Sequence, residues 1–133
     1  MLVDDSLTVR TIFKRMIDAE AGLEVVATAS SAERAIVQLR STEIDVVLLD
    51  LEMPGMGGLE GLPTILATAP DAQVMVVSSL TESGTESTMA ALARGAADTM
   101  LKPRPGGFDD AYREQLMDKI RALGAGMPAS AAA

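Results

Sequence analysis

The run Ile44-Asp45-Val46-Val47-Leu48-Leu49 constrains this chain most. It is short, rich in β-branched residues and almost wholly apolar, the pattern of a strand buried on both faces of a parallel sheet. It ends in Asp50, and Met53-Pro54-Gly55 then turns the chain away. A carboxylate at the carboxyl end of such a strand lies in the crevice where open α/β sheets bind ligands. Asp50 is therefore the candidate centre of chemistry. Taken alone, it reads equally as an aspartate that caps the following loop.

The rest of the chain supplies the other strands and helices. Met1-Leu2-Val3 is an apolar run cut short by Asp4-Asp5. Three residues rise only about 10 Å, against the ~17 Å of a common strand, so the numbered chain is expected to begin inside a truncated first strand. Val9, Ile12, Phe13, Met16 and Ile17 recur at helical spacing, and Gly22 stops that helix. Leu23 to Ala27 reads as the second strand. Ser30 with Glu33 is a capping-box signature for a helix running to about Arg40. After Asp50, the residues Leu59, Leu62 and Leu66 suggest a third helix, with a first turn weakened by Gly57, Gly58, Gly61 and Pro63. Val74 to Val77 is a fourth buried strand ending in Ser78-Ser79. The polar stretch Thr81 to Ser87 reads as a mobile loop before a helix from Thr88 to Arg94, closed by Gly95. Ala97 to Leu101 is a fifth strand, followed by Lys102-Pro103. Phe108, Tyr112, Leu116, Ile120 and Leu123 share one face of the last helix.

Five alternations of strand and helix predict an α/β fold, a doubly wound parallel sheet covered on both faces. Its strand ends gather Asp4, Asp5, Asp50, Ser78 and Lys102 in one crevice. The expected domain spans residues 1–123, and the Gly-, Ala-, Ser- and Pro-rich stretch 124–133 reads as a linker or disordered tail. At 133 residues one domain is the natural reading, and with 2% aromatic residues and nine methionines its core must be aliphatic.

What the chain lacks narrows the chemistry. Without cysteine it forms no disulfide or thiolate metal site, a pattern that suits the cytoplasm. Without histidine it holds no Ser-His-Asp triad, no histidine-ligated metal and no phosphohistidine of its own. A net charge of -8 argues against nucleic-acid binding, which demands clustered Lys and Arg. No apolar run approaches the ~20 residues of a membrane span.

Three carboxylates within a few ångströms raise one another's pKa unless a cation intervenes. Oxygen-only ligands suit a hard divalent ion, and a few carboxylates with retained waters suit Mg²⁺ better than a dedicated Ca²⁺ cage. With the Ser78 hydroxyl and the Lys102 ammonium opposite, such a pocket fits a phosphoryl group on Asp50. Each piece has a plainer role open to it. Asp4-Asp5 before Ser6 can simply begin a helix, Ser78 can satisfy strand-end backbone, and Lys102 can be an exposed loop lysine. The conjunction at successive strand ends favours the shared site.

The ordered set Asp4-Asp5, Asp50, Met53-Pro54, Ser78 and Lys102-Pro103 resembles the receiver domain of bacterial two-component response regulators. The resemblance covers Met1 to about Leu123 and implies a flavodoxin-like fold, five strands in the order 2-1-3-4-5 with five helices. It implies that Asp50 accepts a phosphoryl group from a histidine kinase. It further implies that Asp5, Asp50 and the backbone carbonyl of Glu52 bind Mg²⁺, with Asp4 assisting through water. Ser78 is then the switch hydroxyl and Lys102 the phosphoryl-contacting lysine, and a cis peptide before Pro103 is common. Val76 to Glu82, Gly84, Met89 to Leu92, Gly95 to Asp98, Tyr112-Arg113-Glu114 and Lys119-Ile120-Arg121 resemble the receiver of the chemotaxis protein-glutamate methylesterase. That likeness implies an attached or partner methylesterase domain, which an unphosphorylated receiver covers, reached through the fourth helix, fifth strand and fifth helix.

Two residues depart from the family pattern. Gly57 stands where relatives often carry an aspartate that starts the third helix. Thr99 stands where they usually carry Tyr or Phe, so coupling is expected to run through Ser78 and the Thr81 to Ser87 loop instead. Alternative readings are a stand-alone regulator acting by partner docking, a docking module with vestigial aspartates, and a Mg²⁺-dependent phosphohydrolase. The last needs a substrate-covering cap, for which this segment has no spare length.

Overall fold

The apolar run that ends in Asp50 forms the central strand of a five-stranded parallel sheet. The computed structural model describes residues 1–79, 81–104 and 106–125. Strands β1 (Leu2–Val3), β2 (Thr28–Ala29), β3 (Val46–Asp50), β4 (Gln73–Ser78) and β5 (Asp98–Leu101) alternate with helices α1 (Leu7–Asp18), α2 (Ala32–Leu39), α3 (Gly58–Thr68), α4 (Glu82–Ala93) and α5 (Asp110–Gly124). The strand order is β2-β1-β3-β4-β5, as the family resemblance implies.

Side-chain alternation along the strands divides the interior in two. Val3, Val47, Leu49, Val74 and Val76 face α2 and α3, where they meet Ala35, Leu62 and Ile65 in a core built only of aliphatic and methionine side chains. Leu2, Leu48, Met75 and Val77 face α1 and α5 and meet Phe13, Ile17, Leu116 and Ile120. Burying one such side chain fully contributes about 1.5–3 kcal/mol, so both faces stabilise the frame that carries the strand ends. The aromatic rings gather on the second face. Phe13 and Phe108 stand edge to face at 5.5 Å, and Phe108 and Tyr112 at 5.6 Å.

Several boundaries differ from the sequence expectation. The second strand is not Leu23 to Ala27 but Thr28–Ala29, because a strand exists only where it has a partner and β1 offers Leu2 and Val3. The α2 cap is Ser31, whose hydroxyl accepts from Arg34 N–H, and not Ser30. The stretch Thr81 to Ser87 is not a loop. Thr81 caps α4 by accepting from Gly84 N–H, and the helix starts at Glu82. Its first turns have few apolar residues, which hid them from a periodicity argument. Gly124 is the last residue of α5; the rest of the expected linker or tail, residues 126–133, lies outside the described residues. Among the described residues no peptide bond is cis, so the bond before Pro103 takes the trans form that X-Pro favours by about 0.5–1 kcal/mol.

Gly57 caps α3 without any side-chain hydrogen bond, as a glycine there requires. Its neighbour Gly58 has a packing reason. A Cβ at that position would stand 2.2 Å from the Asp50 carbonyl oxygen, so only glycine lets α3 approach the end of β3.

Candidate functional site

Strands β1, β3 and β5 deliver their next residues to one rim of the sheet. Asp4 follows β1 and donates its N–H to Ala29 O at 3.1 Å, which continues the ladder one step past Val3. Its Oδ1 accepts from Ser6 N–H at 2.8 Å, and its carbonyl accepts from Arg10 Nη1 at 2.6 Å. Asp4 thus holds the turn that leads into α1, whose N-cap is Ser6, while facing the site. Asp50 closes β3, and its Oδ1 accepts from Glu52 N–H at 3.0 Å. Lys102 follows β5, held by its N–H donating to Ser78 O at 2.8 Å. Its ammonium lies 3.1 Å from Asp4 Oδ2 and 3.2 Å from Asp50 Oδ2.

Asp4 and Asp50 are 5% and 1% exposed, whereas Asp5 is open to solvent. One carboxylate oxygen from each of Asp4, Asp5 and Asp50 falls within 4.8 Å of the others. That spacing lets three hard oxygen donors share one cation, and the two buried acids need the charge balance it brings. The donor set fits a divalent ion.

The electrostatics agree with that need. Burial pushes the Asp50 carboxyl up from 3.8 to about 6; the Asp4 charge adds to the rise, and the Glu52 N–H and Lys102 oppose it without cancelling it. For Lys102, burial pulls downward, and Asp50 and Asp4 outweigh it, so the ammonium is held above its ordinary range. The two directions are consistent, since one ammonium divided between two buried carboxylates stays charged but does not fully compensate either.

Not every expected member joins this cluster. Ser78 is 3% exposed, and its hydroxyl sits 2.5 Å from Thr88 Oγ1 on α4, with no hydrogen bond to Asp50 or Lys102. Glu52, expected to contribute its backbone carbonyl and not its side chain, turns its carboxylate to the Ser79 hydroxyl. Thr99 lies with Ser78, Thr85, Thr88, Met89 and Leu101 around a cleft of about 130 Å³ between α4 and β5. Thr88 and Arg10 were missed from the sequence. Thr88 stands four residues after Gly84 and donates to its carbonyl at 2.9 Å, a local signal that became visible only once the α4 start was known.

Comparisons with known proteins agree with this arrangement. The family model described as "Response regulator receiver domain" matches residues 1–110. Protein-glutamate methylesterase/protein-glutamine glutaminase 2 of Caulobacter vibrioides is 47% identical over 127 residues, covering 94% of this chain and 36% of that protein. The chain thus spans about a third of the length of such curated relatives. The response regulator domain of Thermotoga maritima CheB superposes with a TM-score of 0.79 at 35% identity, covering 93% of each chain. A chain from the CheX-CheY-BeF3-Mg+2 complex of Borrelia burgdorferi superposes with a TM-score of 0.76 at 26% identity, covering 92% of this chain and 85% of that one. With the sheet order, the strand-end acids and the lysine in place, this chain belongs to the response regulator receiver domain family.

Proposed function

We propose that Asp50 is the phosphoacceptor of a Mg²⁺-dependent switch, charged by a histidine kinase and governing a protein-glutamate methylesterase domain. The convergence of Lys102 on Asp4 and Asp50, beside a third carboxylate at cation-sharing distance, carries this reading. The magnesium-bearing relative and the methylesterases that match nearly the whole chain support it.

Asp5 and Asp50, the Glu52 carbonyl and, through water, Asp4 would hold the ion. Mg²⁺ bound there supplies positive charge that stabilises ionised Asp50 and the phosphoryl oxygens. In the transfer, an Asp50 carboxylate oxygen forms a bond to phosphorus as the phosphorus–nitrogen bond of the donor's phosphohistidine breaks, and the imidazole, already protonated on its other ring nitrogen, leaves as the neutral ring. Lys102 is placed to follow the new negative charge, since its ammonium already sits at hydrogen-bonding distance from Asp50 Oδ2. Ser78 has to leave Thr88 to donate to a phosphoryl oxygen, which couples the site to α4. Met89, Leu92 and Leu101 are exposed on α4 and β5, and they form the apolar part of the surface through which the effector reads that change.

The test is to record amide and Asp50 carboxyl-carbon NMR spectra in chelator, with Mg²⁺, and with Mg²⁺ plus beryllofluoride. Asp50 is expected to titrate near pH 6 in chelator, to move lower with Mg²⁺, and to shift the 78–88 amides once beryllofluoride binds. Spectra unchanged by both additions would refute the proposal.

A further inference from the structure

Helix α3 carries a proline where its own ladder needs a donor. The N–H of residue 63 would serve the carbonyl of Leu59, but Pro63 has no N–H, and its ring crowds that same carbonyl outward. Leu59 O finds its partner on another helix. Arg94, the residue that caps the carboxyl end of α4, donates to it from Nη1 at 3.2 Å. A cation beside the first turn of a helix works against that helix's dipole, so the attraction lies in the vacated carbonyl and not in charge alone.

Other features hold the same end of α4. It closes in a Schellman motif, with Gly95 N–H donating to Leu92 O at 3.2 Å and Ala96 N–H to Ala91 O at 3.0 Å. Gly95 has φ +114°, and a Cβ there would stand 2.9 Å from Leu66 Cδ1 of α3. Ala91 and Ala96 are buried in the core that holds Leu62 and Ile65. The first turn of α3 is in turn set against the site, because Gly58 sits on the Asp50 carbonyl. The amino half of α4 has no such seat. Of residues 82–88 only Gly84 is buried. What holds that half is a set of hydrogen bonds: Gly84 N–H to Thr81, Thr88 to Gly84 O, and Ser78 to Thr88.

We propose that Arg94 is a positioning residue: it takes the acceptor that Pro63 frees, anchors the carboxyl end of α4 to α3, and makes the helix open from its amino end alone. Packing and the Arg94 bond secure one end, and polar bonds secure the other, so the two ends open at different free energies. In its functional consequence the inference rests on the switch proposed above. Ser78 releases the amino end, and α4 swings on Arg94 without sliding along α3.

The test follows native-state amide exchange by NMR in chelator, relative to the Val47 to Leu49 amides, which report global unfolding. Arg94→Ala should speed exchange at Gly95 and Ala96 about fivefold in the parent chain. Pro63→Ala gives α3 its own donor, so adding Arg94→Ala to it should change those rates by less than about twofold. Thr88→Val should speed residues 85–88 and leave Gly95 and Ala96 unchanged. An Arg94→Ala effect that is absent in the parent, or equal in both backgrounds, overturns the proposal, and so does loosening of both ends by Thr88→Val. With Mg²⁺ and beryllofluoride added, amide shifts in the parent should concentrate at 78–88 and reach 91–96 only in Arg94→Ala. Shifts as large at 91–96 in the parent overturn the swing. No response at any amide refutes the phosphoacceptor reading instead, and the exchange rates still decide the anchor.

Discussion

Replacing Thr88 with valine should destabilise the domain and yet make it bind beryllofluoride more tightly. Thr88 Oγ1 donates its proton to Gly84 O at 2.9 Å, so in the 2.5 Å contact between the two hydroxyls Ser78 must be the donor. Ser78 is 3% exposed, so water does not readily take over that bond. If the same proton serves a phosphoryl oxygen in the activated state, the Ser78–Thr88 bond belongs to the resting state alone. A hydrogen bond of this kind contributes about 0.5–1.5 kcal/mol. Valine keeps the branched shape and deletes the bond, so it raises the resting state by that amount and the activated state by little. Linkage then gives an affinity gain of about 2- to 13-fold, near fivefold at ~1 kcal/mol. The thermal midpoint should meanwhile fall by about 3–5 °C for a domain of this size. Titration of beryllofluoride in saturating Mg²⁺ reads the first quantity, calorimetry the second, and Thr88→Ser, which retains the hydroxyl, should match the parent in both. Unchanged or weaker binding by Thr88→Val, with the serine variant intact, would refute the reasoning.

One further outcome follows from the geometry. Gly58→Ala sets a Cβ against the Asp50 carbonyl, where neither backbone can yield freely; it should lower stability in denaturant titrations by at least about 1–3 kcal/mol, with amide shifts centred on residues 50–52.

The strand that carries Asp50 was legible because it is buried on both faces, so every residue had to be apolar and its end was marked by the first carboxylate. Lys102 and the Asp4-Asp5 pair were legible for a related reason: in an alternating α/β chain the topology alone brings strand ends to one rim. What escaped depended on partners rather than on periodicity. Leu23 to Ala27 has the composition of a strand, but β1 pairs Leu2 and Val3 with Thr28 and Ala29, and of the predicted run only Ala27 reaches that ladder, through its carbonyl. The start of α4 is set by the Thr81 hydroxyl, a cap within a polar stretch that resembles a loop in every other respect. Ser78 was placed at the right strand end, but its rotamer depends on Thr88 ten residues away, and no motif encodes that.

On the proposed function, the charge inventory of the site calls for a cation before phosphate. Asp50 is nearly sealed from water, and its one cationic contact among the described residues, Lys102, is divided with Asp4 at almost equal distances. Burial therefore wins over pairing, and the Asp50 carboxyl sits at about 6, within reach of neutral pH, where a protonated fraction is a poor nucleophile. On the proposed reading, a divalent ion held among Asp4, Asp5 and Asp50 would restore the missing positive charge, favour ionised Asp50 and leave Lys102 free to follow an incoming phosphoryl group. Because two of the three acids are buried, this balance is weakly screened by salt. The rate of phosphorylation should thus depend steeply on Mg²⁺ and only weakly on added sodium chloride, whereas a site that relied on exposed charges would show the reverse.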